Sequence, residues 1–167
     1  MNMKKLVCIL LMLLLPFSAL SEAAVPLAPY ALTAPEDTEC VPNEEVVTYV
    51  RDTSRVVVQS ISRIPDESPA EALIRLMGQF DAEAVIGDAL TLAADCVGLT
   101  ATHADQFGEG IDVRVVMVLS AQGDLLILSA YDMAGDEDSA ALLLDALLDA
   151  LTLNGVSVRP AADVSAG

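Results

Sequence analysis

Two near-continuous apolar runs, IDVRVVMVLS over residues 111–120 and LLILSAY over residues 125–131, stand on either side of the four residues AQGD. Val, Ile and Leu in series, joined by a Gly-containing turn, predict a β-hairpin in the middle of a sheet, where strands lose the polar alternation of a half-wet surface. Any fold for this chain is built around that pair. A second pair is read upstream, where VVTYV, the polar turn RDTSR and VVVQSISRI form β-rich runs, with Pro65 stopping the second.

Two helices accompany these strands. The segment SPAE places a capping Ser68, a first-turn Pro69 and Glu71 at the third helical position, so a helix is expected over 69–80. Ala70, Leu73, Ile74, Met77 and Phe80 recur on one stripe of a 3.6-residue period, with Glu71, Arg75 and Gln79 opposite. Met77 in that stripe reads as packing. Further on, Asp136, Glu137 and Asp138 precede SAALLLDALLDALTLNG, and Asn154 with Gly155 supplies a stop, so a second helix is expected over 139–153. Its buried face should be Leu143, Leu144, Leu147, Leu148 and Leu151, and Asp145 with Asp149 marks the wet one. The run VSVRP reads as a short closing strand.

The remaining stretches carry weaker signals. Residues 24–45 hold Pro26, Pro29, Pro35 and Pro42 with Glu36, Asp37 and Glu39, show no apolar period, and read as an extended lead-in. Residues 81–95 keep helical character interrupted by Gly87, and VGLTATHADQFGEG reads as a long loop, so about 81–108 forms an insert. The expected class is α+β, a mainly antiparallel sheet with two helices packed on one face, in the order ββα-insert-ββαβ. One domain over 46–160 suits 167 residues, and the tail 161–167 is small and polar enough to fray.

The amino-terminal 23 residues read as a secretory signal peptide. Lys4 and Lys5 precede an apolar run over 6–15, Pro16 ends it, and Ser21 and Ala23 are small residues at −3 and −1 to a cut. A membrane helix needs roughly 20 apolar residues, so an anchor would have to recruit Phe17 to Leu20 past the proline. Cys8 lies inside the apolar run, not behind a small-residue lipobox. The expected location is therefore exported, extracellular or in the cell envelope. Thiols can pair there. Cys40 and Cys96 allow one bridge closing a loop of about 55 residues, worth on the order of 4 kcal/mol, or remain two unpaired thiols.

Acids outnumber Lys plus Arg by 25 to 8, a formal charge of −17, which leaves no basic stripe for a phosphate backbone and excludes nucleic-acid binding. After cleavage no Lys remains. Catalytic signals are sparse. The single His, His103, precedes Asp105 in THADQ, and Ser120 in LSAQG lacks the leading Gly of a nucleophile elbow. Asp132, Asp136, Glu137 and Asp138 could hold a hard cation through oxygen ligands, but their spacing is not that of an EF-hand loop and a helix start already explains them. No catalytic residue, metal ligand or cofactor is assigned.

In its order of elements the chain resembles the GerMN domain of bacterial spore-formation and germination proteins. The resemblance is carried by VVTYVRDTSRVVVQSISRI with SPAEALIRLMGQ, then GIDVRVVMVLSAQGDLLILSAYD, then ALLLDALLDALTLNGVSVRP. The Leu-x-x-Gly-like helix end of that family is matched by Ile74 to Gly78, its Leu-Ser element with an aromatic by Leu128, Ser129 and Tyr131, and its closing helix and strand by Thr152, Leu153, Gly155, Val156 and Val158. The match spans 46–160 apart from the insert. It implies a small α/β module, similar to ring-building domains, that packs side by side in envelope assemblies and is not an enzyme. The expected partner is a basic envelope protein or polymer, with self-association weak at low salt because like charges repel. Two alternatives stand beside this: a secreted small-ligand or peptide-binding module, marked by a roomy apolar pocket beneath the insert, and a hydrolase using His103, marked by Ser or Cys beside it.

Overall fold

A computed structural model describes residues 27–43, 46–61, 69–107 and 109–160. The signal-peptide segment, the Ser68 cap, the Pro65 stop and the tail lie outside the described residues.

The elements are β1 (Tyr30–Leu32), β2 (Glu39–Pro42), β3 (Val46–Arg51), β4 (Ser54–Ile61), α1 (Pro69–Phe80), β5 (Val85–Thr91), β6 (Cys96–His103), β7 (Val113–Ser120), β8 (Leu125–Asp132), α2 (Glu137–Ala150), β9 (Leu151–Leu153) and β10 (Val156–Ser157). This is an α+β fold dominated by antiparallel pairing. Seven strands form one sheet in the order β2-β3-β4-β8-β7-β6-β5, and β1-β9-β10 form a small second sheet. Two meanders, β2-β3-β4 and β5-β6-β7-β8, therefore meet at the β4–β8 seam, where Ser54 pairs with Asp132 and Ile61 with Leu125.

The expected hairpins form. β7 and β8 turn through Gly123, whose φ of 88° a side chain would resist, and whose N–H donates to the Ser120 carbonyl. β3 and β4 turn at Asp52 and Thr53 between the paired Arg51 and Ser54. Side-chain alternation then sorts the strands into two interiors. On one face Val56, Val58, Val116, Val118, Leu126 and Leu128 pack with Leu143, Leu144, Leu147 and Leu148 of α2, and with Tyr30, Leu151, Leu153 and Val158 of the small sheet and its flank. On the other face Val113, Val115, Met117, Leu119, Leu125 and Ile127 pack with Ala72, Leu73 and Met77 of α1.

The two helices therefore lie on opposite faces of the sheet, which corrects the one-face expectation. The reason is in β7 and β8 themselves: seven of the eight residues in each are buried, the exceptions being the exposed Arg114 and the half-buried Ser129, so both of their faces need cover. One helix cannot supply it.

Three further expectations change. The stretch over 81–108 is not an external insert, since β5 and β6 extend the main sheet beyond β7. The lead-in contributes β1 and β2, each paired to a later strand. The second helix ends at Ala150, and Leu151–Leu153 is strand β9, drawn out of helical geometry by pairing with both β1 and β10. Leu143, Leu144, Leu147 and Leu148 form the buried face of α2 as expected, while Leu151 is buried in β9 instead, and the α1 stripe is rotated: Ala72 is buried and Ile74 is 54% exposed.

Candidate functional site

His103 ends β6, opposite Val113. The turn after α1 brings two carboxylates to it. Asp81 Oδ2 lies 2.5 Å from His103 Nδ1, and Glu83 Oε2 lies 3.6 Å from Nε2. The Asp81 carboxylate also accepts the Glu83 N–H at 3.1 Å through its other oxygen, which fixes the turn. Asp81 and the imidazole are mostly covered, whereas Glu83 is 85% exposed. Spacing in the sequence pointed to Asp105 as the neighbouring acid. Asp105 instead organises its own loop, accepting the Gly110 N–H and donating its backbone N–H to Asp112 Oδ1.

Among the described residues both ring nitrogens face carboxylates, not a hydroxyl or a thiol. Ser120 and Cys96 pair with each other at the far end of the β6–β7 ladder, about 23 Å along the strand from His103 at the usual rise. Ser120 is buried and serves the β7–β8 turn, accepting the Asp124 N–H at 3.1 Å. The arrangement can anchor the α1–β5 turn to the end of β6.

Asp132 is the most completely engaged acid. It is buried at the end of β8. Its Oδ2 accepts from Ser54 Oγ (2.7 Å) and Thr53 Oγ1 (2.9 Å), and its Oδ1 accepts the N–H groups of Ala134 (2.7 Å) and Asp136 (3.2 Å). Burial acts to raise its pKa, but the hydrogen bonds from Ser54, Ala134, Thr53 and Asp136 together hold it below the ordinary 3.8. Asp136 caps α2, accepting from Ser139 N and Ser139 Oγ, and Glu137 and Asp138 occupy the first turn. The acidic run is thus divided between a loop clamp and a helix start. Among the described residues no group of three or more His, Cys, Asp or Glu is arranged to hold a metal ion.

Cys40 and Cys96 are both free, the first exposed and the second buried. Four strands separate β2 from β6 in the sheet order, so at about 4.8 Å per strand the two are far beyond the Cα separation of about 7 Å that a disulfide tolerates. That corrects the bridge as an option. Burial pushes both thiols up, while hydrogen bonds from Tyr49 to Cys40 and from Tyr30 to Cys96 act the other way.

A surface depression beside the start of α2, lined by Thr102, Asp112, Arg114, Glu137 and Ala141, has room for about one water molecule. It is not a small-molecule pocket. No helix among the described residues is long and apolar enough to cross a membrane. No known family model matches the chain, and no curated protein matches it.

Proposed function

We propose that this chain is an exported interaction domain of the cell envelope, holding a basic partner protein or polymer by surface contact. The observation that carries the reading is the contrast between its internal and external charges. The groups best equipped for chemistry, His103 and Asp132, are occupied by internal partners. The chain as a whole keeps a surplus of 17 negative charges, and on its surface one Arg can face two acids, as where Arg159 spans the exposed Asp145 and Asp149 of α2. A surface of that sign attracts cationic partners and discourages like copies. The export part of the reading rests on the signal-like segment of the sequence. The resemblance to GerMN domains rests on hydrophobic pattern, and helices on opposite faces of the sheet take away its geometric support.

The test is capture from envelope extract on immobilised protein across a salt series, with sedimentation of the free protein alongside. Retention of a basic envelope component at low salt and its release at high salt is expected. Capture indifferent to salt, or turnover of ester, peptide or glycan substrates that disappears in His103→Ala, would overturn the proposal.

A further inference from the structure

Among the described residues β5 is the outermost strand of the main sheet, paired with β6 and with no other strand. Six of its seven residues are exposed, including Val85 at 72% and Ile86 at 44%. A strand left open in this way presents unpaired backbone N–H and C=O groups to the solvent and can accept another strand. Leu90 packs against the core, whereas the exposure of Val85 and Ile86 is not explained by the fold's own packing.

The stretch of chain that holds this edge carries acidic charges, and the cation across the sheet from Val85 is Arg114, two strands away beyond Thr102. Between Arg75 and Arg114 the sequence contains no Lys or Arg, but it contains Asp81, Glu83, Asp88, Asp95, Asp105, Glu109 and Asp112. Of these, Glu83 lies just ahead of β5 and Asp88 lies within it. Asp88 is the middle residue of Val85–Thr91. Symmetric antiparallel pairing of two copies along β5 would therefore set Asp88 directly opposite its own mate, and like charges directly opposite are destabilising. A strand carrying Lys or Arg at that position gains where a second copy loses.

We infer that the β5 edge is a docking strand for an extended, basic peptide segment of a partner protein, which adds to the sheet with apolar residues beside Val85 and Ile86 and a cation opposite Asp88. The irregularity between Ile86 and Ala89 tunes this edge. Gly87 at the bulge lies so near Thr100 that an added Cβ would come within 2.6 Å of its Oγ1, and Thr100 Oγ1 donates to the Asp88 carbonyl at 3.0 Å. The bulge thus breaks the long flat ladder that favours indiscriminate pairing and holds Asp88 in place. This inference deepens the proposal above, since it rests on the acidic surface being the one that meets the partner.

The experiment uses a fluorescent heptapeptide alternating Val and Lys, and the same peptide N-methylated at alternate amides, titrated against the full chain by anisotropy. Binding of the first and not the second is expected, because methylation keeps the charge and removes the strand hydrogen bonds. Asp88→Lys and Val85→Lys should each weaken binding by about tenfold or more. Glu39→Lys, on the opposite sheet edge at β2, should change it by less than about twofold. Far-UV circular dichroism of each variant confirms folding; both β5 side chains are exposed, so either variant alone suffices. Equal binding of the methylated peptide, equal weakening by Glu39→Lys, no binding at all, or a dimer of the unmodified chain abolished by Val85→Lys would each overturn the inference. If envelope capture fails while the heptapeptide behaves as expected, the docking strand stands and the envelope role falls. If capture succeeds and is indifferent to Val85→Lys, the envelope role stands and the docking strand falls.

Discussion

Replacing Asp132 with Ala deletes an acceptor for four donors at the seam between the two meanders: two hydroxyls from the β3–β4 turn and two backbone N–H groups from the loop before α2. Hydrogen bonds to a charged acceptor are worth about 1.5–3 kcal/mol each, and a stranded buried donor costs about 1–3 kcal/mol. Thr53 is exposed and regains water, whereas Ser54 is buried. The expected loss is then about 3–5 kcal/mol, a large share of a typical domain's total of about 5–15 kcal/mol. Asp132→Asn should cost less, about 1–2 kcal/mol, because its carbonyl can still accept both N–H groups while its amide donates to the two hydroxyls after they rotate. The pH dependence separates charge from shape. The folded carboxyl is held below 3.8, so its contribution is complete above the unfolded value and is lost as pH falls through the folded one. Asn has no such titration, so the gap between the unmodified chain and Asp132→Asn should narrow from pH 7 to about pH 3. Urea unfolding followed by far-UV circular dichroism measures both. A cost below about 1 kcal/mol for Ala, or an Asn gap that does not change with pH, would refute the reasoning.

Four other outcomes are expected. Gly155→Ala, at φ 80° with open space around the Cβ position, should destabilise by about 1 kcal/mol through backbone strain alone, read as a urea midpoint shift without a change of slope. Gly98→Ala should cost about 1–3 kcal/mol, since its Cβ would come within 2.9 Å of both Leu90 Cβ and Leu92 Cδ1. Burial raises the phenol pKa of Tyr30, Tyr49 and Tyr131 above the ordinary 10.0; their protonated forms therefore contribute fully below the unfolded pKa and lose that contribution as pH rises through the folded values, so phenolate absorbance should appear together with loss of circular dichroism at alkaline pH. A thiol reagent should modify Cys40 in the native protein and reach Cys96 only on unfolding, and an intact mass showing a bond between the two would refute the sheet order.

The parts of the fold that could be read in advance are those whose local chemistry agrees with their final state. β3, β4, β7 and β8 are rich in Val, Ile and Leu, and the leucine face of α2 needs only one periodicity to explain it. β5 could not be read in this way. Its sequence, VIGDALT, mixes the helix formers Ala and Leu with Gly and Asp, which are depleted in strands, and it becomes a strand because β6 lies beside it. Its turn into β6 is disguised too. Ala94 and Asp95 both take positive φ, with Cys96 N–H donating to the Ala93 carbonyl, in a place where Asn-Gly is the recognisable signal. Asn154 and Gly155 adopt the same pair of signs between β9 and β10, although in the sequence they read as the stop of a helix. Around His103, neither Asp81 nor Glu83 is marked by spacing, since they are 22 and 20 positions away and come near only because α1 returns the chain to the end of β6. Some signal was available in the near-continuous apolar sequence of β7 and β8, broken by Arg114 and Ser129: strands with apolar residues on both faces require a cover on each side, which is the information that places the helices.

The pairing of β1 with β9 joins Ala31 to Thr152, 121 residues later. At synthesis rates of about 5–20 residues per second, some 6–24 s pass between the appearance of the two. For all that time the early strand has no mate, and the interior that Leu27 and Tyr30 enter lacks the side supplied by Leu151, Leu153 and Val158. A growing chain can build its meanders but cannot seal them until its last strands emerge. Completion of that interior thus waits on the synthesis of Leu151–Ser157, however early the meanders have paired.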